Sequence, residues 1–359
     1  AAWPRPLPPF AGKPMDGTDV NAVVPDDFFS FLEKGTGVEW DKVELWDASH
    51  ELPRMQYSDL ASNEGQEALL RKIFTRGIVV VDDLPDDEKR DASVLHEFAQ
   101  EYLGGLQKHP LRLTANWTIS TEDLTQFGGD DGSVADVSGY KGMERDTRAY
   151  DTNLQIQQHT DQSAYGTPGI LLCFHCADGQ GGNTVTDGFK VANIMREQFP
   201  EDFEMLSSYG YNLGRRIEHY KVGMQLQIEQ EPIFKLDAEG KLVSVRYHEL
   251  YRSPFTLPFD VFPRYYKALN KFYELVHCAE NMKKISLHKG QCLIMNNWRT
   301  MHGRAGLAGK RRTIIGGTVS QPSLLSQVRL VKERGSGMQP LEALGMPIAS
   351  FDAIAKLKA

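Results

Sequence analysis

The pattern of apolar and polar positions divides the chain into a helical opening and a long series of short strands. From residue 63, NEGQEALLRKIFTR repeats its apolar positions at helical spacing, and Asn63 with Gln66 three residues on resembles a capping box. Gly77 marks the end of that helix, and the unbroken run IVVV at 78–81 reads as a buried strand. A second helix is expected over residues 86–103, closed by Gly104-Gly105. Strand signals follow in LQIQQ, GILLCFHC, NTVTDG, PIFKL, LVSVRYHE, KKISL, QCLIMNN and RRTIIGGTV, with a turn at Lys289-Gly290. Two amphipathic helices interrupt the series, near 189–208 and 262–278. Many short strands with a few packed helices predict a mainly β fold with helices, a jelly-roll-like double sheet.

The same pattern sets the boundaries. Residues 1–60 are rich in Pro, Gly and Asp, with Trp40 and Trp46 as aromatic anchors, and are expected to form an N-terminal arm or small subdomain. Residues 61–320 read as one catalytic domain and 321–359 as a C-terminal extension. The most loop-like interior segment is FGGDDGSVADVSGYKGMERDT at 127–147, either a lid over the substrate or a plain surface loop.

Composition narrows the function classes. Of 359 residues, 41% are hydrophobic and 25% charged, as in ordinary globular proteins. A net charge of −8 argues against nucleic-acid binding, and Lys310-Arg311-Arg312 is too short a basic run to reverse that. No apolar stretch approaches the ~20 residues that span a bilayer. The opening AAWPRPLPPFAGKP lacks the layout of a secretory signal. The expected partner is a small-molecule substrate, with no nucleic acid and no membrane; a homodimer is left open. Cys173, Cys176, Cys278 and Cys292 are too few for a disulfide framework. They point to a reducing intracellular compartment, cytoplasmic or inside a mitochondrion or plastid. Cys173 and Cys176 form a CxxC, but a zinc site would need a second pair, and His277-Cys278 is the only candidate. The apolar run around the CxxC favours a buried strand instead.

The chemistry concentrates in QQHTDQSAYG, residues 157–166. On a strand, residues i and i+2 point to one side, so His159 and Asp161 could converge on one ion. A third ligand is offered by His302 in MNNWRTMHGR, behind the apolar strand CLIM. Two histidines and a carboxylate form the facial triad of non-haem Fe(II) oxygenases, with coordination positions left open. Arg312, ten residues beyond His302, could grip a carboxylate by two parallel hydrogen bonds, and the Thr184 hydroxyl could bind the same group.

With these pieces in order, the chain resembles the Fe(II)/2-oxoglutarate dioxygenases of the taurine dioxygenase superfamily, most closely the γ-butyrobetaine and trimethyllysine hydroxylases. The matching stretches are AYDTNLQIQQHTD, TPGILLCFHC, GGNTVTDGF, PEDFEMLSS and NNWRTMHGR, over roughly residues 150 to 318. The resemblance implies a double-stranded β-helix, with Fe(II) at His159, Asp161 and His302 and 2-oxoglutarate held by Arg312 and Thr184. It implies oxidation of an unactivated C–H bond by O2, with succinate and CO2 as co-products.

The substrate does not carry over. Those hydroxylases hold a trimethylammonium group in an aromatic cage. Tyr150 matches one cage tyrosine, but Thr318 stands where they carry another, and His248-Glu249 replaces their Asn-Asn pair. Gln162, after the HTD motif, completes no cage, and no cysteine precedes position 173 to form their N-terminal zinc module. Arg215 and Arg216, with Tyr165 and His248, are the remaining substrate-side candidates, and the two arginines read equally well as a solvated helix or loop end. A pocket with arginine suits an anionic amino-acid-like substrate, as in the oxidative cyclisation of an N-prenylated glutamate by algal kainoid synthases. Two other classes stay in view. One is a non-catalytic binding module on the same fold; the other is a zinc hydrolase, for which a general base at HExxH-type spacing is missing.

Overall fold

Two of the expected strands, GILLCFHC and NTVTDG, are a single 17-residue strand that belongs to two sheets at once. The computed structural model describes residues 28–30, 42–87, 91–108, 115–120, 155–217, 224–305 and 312–336. Trp40, Tyr150, the 127–147 loop and residues 337–359 lie outside them. In chain order the elements are β1 (Arg54–Gln56), α1 (Asn63–Arg76), β2 (Ile78–Asp82), α2 (Ser93–Tyr102), β3 (Asn116–Ser120), β4 (Ile156–His159) and β5 (Leu171–Asp187). Then come α3 (Gly188–Gln198), α4 (Pro200–Ser208), β6 (Gly210–Ile217), β7 (Met224–Pro232), β8 (Phe234–Leu236), β9 (Leu242–Val245) and α5 (Phe262–His277). The last are β10 (Met282–His288), β11 (Cys292–Asn296), β12 (Thr300–Arg304), β13 (Arg312–Val319) and α6 (Gln321–Ser336).

The first half of β5 lies between β11 and β13, in a sheet of spatial order β1–β2–β11–β5–β13–β3. Its second half lies between β10 and β12, in a sheet ordered β10–β5–β12–β4. The strand crosses at Gly179, whose φ of 69° is left-handed and open to glycine at little cost. Every pairing in these two sheets is antiparallel except β1 with β2.

Side chains alternate across the first sheet. Leu171, Cys173, Val79, Val81, Cys292 and Ile294 face outward, into a core with Leu69, Ile73 and Phe98 of the helices. Leu172, Cys176, Ile78, Val80, Leu293 and Met295 face inward, where Val185 and Leu287 of the second sheet meet them. Both faces are therefore dry, which is why these strands read as continuous apolar runs. The same alternation sends Cys173 and Cys176 into different cores, so the CxxC cannot close on one ion. A third core packs α3, α4 and α5 around β8 and β9.

Three local expectations are corrected. The cap of α1 is Ser62, whose Oγ accepts from the Gly65 N–H, while the Gln66 amide donates to the Leu60 carbonyl instead. Helix α2 begins only at Ser93, because the Asp87 carboxylate takes the N–H groups of Asp91 and Ala92 just before it. The helix expected over 189–208 is two, since Pro200 has no N–H for the preceding turn and opens α4 at its first position. Within the expected N-terminal arm, residues 54–56 form β1 at the sheet edge.

The layers are tied together by a buried ion pair. Arg299 Nε and Nη2 donate to the two Asp187 oxygens at 3.0 and 2.7 Å, with side-chain exposures of 1% and 0%. Arg299 also donates to the carbonyls of Thr75 and Glu44, and Asp187 accepts from the N–H groups of Trp46 and Phe189. Gly77, at φ 71°, leaves room for the Arg299 stem, whose Cδ lies 2.7 Å from where a Cβ would stand. Asp187→Ala strands a buried guanidinium and is expected to lower the unfolding free energy in urea by about 3–5 kcal/mol. A loss below about 1 kcal/mol would show the pair to be incidental.

Candidate metal centre

Strand pairing sets the two histidines side by side. His302 on β12 stands directly opposite His159, the last residue of β4, and their ring centroids are 4.3 Å apart. Asp161 follows two residues later, with Oδ1 3.3 Å from His159 Nε2 and 3.7 Å from His302 Nε2. One ligand atom from each of the three lies within 4.8 Å of the others. His302 Nδ1 is buried without a hydrogen-bond partner. His159 Nδ1 lies 2.8 Å from the Gln157 carbonyl, which can only accept. The proton is thus on Nδ1, and Nε2 is left as the donor for a metal.

The charge states suit a divalent cation. Burial, reinforced by the neighbouring His159 ring and opposed by Asp161, pushes His302 down to about 3, so its imidazole is neutral at physiological pH. Burial alone would raise the Asp161 carboxyl. The contact with His159 and the fields of the surrounding histidines outweigh it and hold the group below the ordinary carboxylate range. Two imidazoles and one carboxylate within reach of one ion fit an iron-type site.

What places Asp161 is the turn between β11 and β12. Asn297 Oδ1 accepts from the Asp161 N–H at 2.8 Å, and its Nδ2 donates to the carbonyls of Asp161 at 2.9 Å and Gly169 at 3.1 Å. The Asn297 N–H donates to the Ile170 carbonyl and the Trp298 indole to that of Pro168. Thr160 is paired on its other side with the backbone of Tyr247. That His302 follows the strand CLIM was legible in MNNWRTMHGR; that the second asparagine there grips the other ligand's backbone was not.

A second polar cluster lies in the same space between the sheets. Arg312, at the start of β13, lies over Gly181 and donates to Asn183 Oδ1 at 2.8 Å. Its guanidinium is buried, and burial with the field of Arg304 brings it down to about 10, still a cation at neutral pH. Arg304 lies two residues past His302 on the same strand. Arg304 pairs with Asn183 in the register of β12 on β5, two positions from the pairing of His302 with Val185. Neither Arg304 nor Asn183 had been singled out from sequence. Thr184 is the neighbour of Asn183, so strand alternation turns it to the other side. Its Oγ1 is buried without a partner and lies 2.8 Å from where a Gly303 Cβ would stand.

The remaining candidates divide. His248 packs its ring 4.5 Å from that of His159 and stacks on Tyr251 at 3.9 Å, so it borders the metal site. Gln162, at φ 58°, spends its side chain on the loop, accepting from the Gly169 N–H and donating to Thr318 Oγ1. Thr318 is thereby a structural anchor of that loop. Tyr165 is buried in the loop after Asp161. Arg215 and Arg216 lie on β6, a strand and not a helix end, and only their backbone is described.

Removing the Asn297 clasp tests how Asp161 is held. Asn297→Ala is expected to weaken Mn(II) binding by about 10-fold or more, at unchanged circular dichroism. Equal Mn(II) affinity in a calorimetric titration would show that Asp161 is placed without it.

Known proteins similar to this chain are oxygenases. A trimethyllysine dioxygenase of Meyerozyma guilliermondii is 35% identical over 224 residues, 60% of this chain and 52% of that protein. The mitochondrial trimethyllysine dioxygenase of Mus musculus is 28% identical over 283 residues, 76% of this chain and 59% of that protein. The gamma-butyrobetaine dioxygenase of Homo sapiens is 25% identical over 194 residues, 52% of this chain and 49% of that one. The chain thus spans about half to three-fifths of the length of these relatives. Among solved structures, the non-heme iron oxygenase OrfP in complex with iron and alpha-ketoglutaric acid matches with a TM-score of 0.52 at 13% identity. That match covers 76% of this chain and 94% of OrfP, a likeness of fold. No helix among the described residues is long and apolar enough to cross a membrane. The family model for "Taurine catabolism dioxygenase TauD, TfdA family" matches residues 42–318, and the chain belongs to that family.

Proposed function

We propose that this protein is a non-haem Fe(II)/2-oxoglutarate-dependent dioxygenase that oxidises an unactivated C–H bond of a small amino-acid-like or amine substrate. Succinate and CO2 are the co-products, and the two sheets sharing β5 are its double-stranded β-helix. The observation that carries the reading is the joint presence, between those sheets, of the His159–Asp161–His302 set and the buried Arg312. The first is a facial ligand set; the second is a cation that calls for an anion.

His159 Nε2, His302 Nε2 and an Asp161 carboxylate oxygen would hold the metal on one side, leaving the opposite positions to small ligands. When bound, Fe(II) supplies the activation of O2 that no side chain can provide. The residues do the rest by placement. Arg312 and Arg304 are buried cations that repel each other, and a dicarboxylate co-substrate would relieve that repulsion. Arg312 would take its far carboxylate bidentately, with Asn183 fixing the guanidinium from behind. Thr184, which the resemblance assigns to the co-substrate, lies on the other side of β5 from Asn183, with its hydroxyl unpartnered. The dry inter-sheet space around Val185, Leu287 and Ile314 keeps bulk water from the reacting centre.

The substrate differs from a quaternary amine held in a full cage. Thr318 occupies one cage position and is tied to Gln162, while among the described residues His248 and Tyr251 put aromatic surface beside His159.

Succinate formation from 2-oxoglutarate with Fe(II) and air should be stimulated by a member of a panel of amino acids, trimethyllysine, γ-butyrobetaine and N-alkylated glutamates. His159→Ala should abolish it. Absence of succinate with every compound, together with no binding of iron or 2-oxoglutarate, would leave a non-catalytic binding module.

Arg312→Met should raise the KM for 2-oxoglutarate at least about 30-fold, the effect of about 2 kcal/mol or more from losing a buried charge partner. Comparing Asn183→Ala with Thr184→Val in the same assay decides which neighbour supports the co-substrate. If none of the three changes that KM, the co-substrate binds elsewhere.

A further inference from the structure

We propose that Arg246 is a carboxylate-binding subsite for the substrate, distinct from the Arg312 cluster and reached from the opposite side of the metal ligands. The proposal rests on the oxygenase reading and deepens it, by assigning the substrate a carboxylate group.

The backbone after β9 is extended, and its side chains alternate. Tyr247 points into the helical core, with its ring 5.2 Å from Phe272. His248 points the other way, onto the metal ligand His159. Arg246, two residues before His248, therefore shares the side that faces the metal centre. Its guanidinium reaches the loop that carries Asp161, with Nη2 3.5 Å from the Gly166 carbonyl.

Arg246 is only 7% exposed, yet it is poorly satisfied. Nη1 makes no hydrogen bond, and the nearest carboxylate oxygen, on Glu231, lies 3.7 Å from it, beyond hydrogen-bond length. A buried guanidinium with five donors and so few acceptors is costly unless an anion completes it. The chain beside it is exposed at Gly166, so an anion can reach the guanidinium from solvent. Among the described residues, a Cβ built on Gly166 would meet no heavy atom within 4 Å. A carboxylate is the ligand class that matches the planar fork of arginine with two parallel hydrogen bonds. A molecule held there would extend past His248 toward the metal ligands, which is where an oxidisable C–H group has to lie. Glu231 is the internal counter-charge that such a carboxylate would displace.

The test uses the full chain loaded with Mn(II) and 2-oxoglutarate, so that binding is read without turnover. L-trimethyllysine and an N-alkyl-L-glutamate are titrated calorimetrically, each beside the analogue whose carboxylates are converted to carboxamides. Wild type should bind at least one acid, and at least tenfold more tightly than its carboxamide. Arg246→Gln should remove that preference by weakening the acid alone, and Arg246→Lys should retain part of it. The affinities for Mn(II) and 2-oxoglutarate should stay as in wild type, which separates this subsite from the oxygenase reading. The proposal is overturned if no acid binds to wild type, if acid and carboxamide bind alike, or if Arg246→Gln leaves the preference intact. Loss of Mn(II) or 2-oxoglutarate binding in wild type would instead sink the oxygenase reading.

Discussion

A charge pair that never sees water holds the candidate site in register. Asp187 ends the strand shared by both sheets, and Arg299 stands in the turn that leads into the strand of His302. Through Thr75 and Glu44 the guanidinium also fixes the end of α1 and the segment before it. Asp187 in turn caps α3 through the Phe189 N–H. Asp187 accepts four hydrogen bonds and Arg299 donates four, and such partners are the condition under which a buried pair is tolerated at all. Its contribution is positional as much as energetic, because it sets where β12 starts relative to β5.

From that fixed point the metal ligands follow in two steps. β12 pairs with β4, so His302 and His159 are matched by backbone hydrogen bonds and not by loop geometry. Asn297, two residues before Arg299, then reaches across to the backbone of Asp161. One five-residue stretch, from Asn297 to Met301, thus anchors the scaffold and places the carboxylate ligand, and His302 follows directly. The anion-binding cluster uses the same economy, since Arg304 lies on β12 and Asn183 on the strand beside it. Sites on paired strands are held more tightly than sites on loops.

Much of this was legible in the chain, for physical reasons. Apolar runs such as IVVV and CLIM marked strands buried on both faces, and HTD with a distant HGR marked ligands whose spacing only a sheet could reconcile. What stayed hidden were relations across space. GILLCFHC and NTVTDG were expected as separate strands, with Gly179 and the Gly181-Gly182 pair between them, when the glycines let one strand pass between sheets. Ser62 and Asp87 act on helix ends through side-chain contacts that a pattern of apolar positions does not report. Asn183 was passed over for Thr184, although alternation sends only one of two neighbours toward Arg312. Arg246 was masked by the more conspicuous Arg215-Arg216 pair, and only burial and partners separate a solvated arginine from one waiting for an anion.

The central claim is that the three ligands and Arg312 act on one metal-bound co-substrate. The most direct measurement is a crystal structure of the protein with Mn(II) and 2-oxoglutarate, the metal located by anomalous scattering. The account predicts one Mn(II) bonded to His159, Asp161 and His302, with the far carboxylate of 2-oxoglutarate on the Arg312 guanidinium. A metal at any other group of side chains, or a 2-oxoglutarate whose far carboxylate lies away from Arg312, would contradict it.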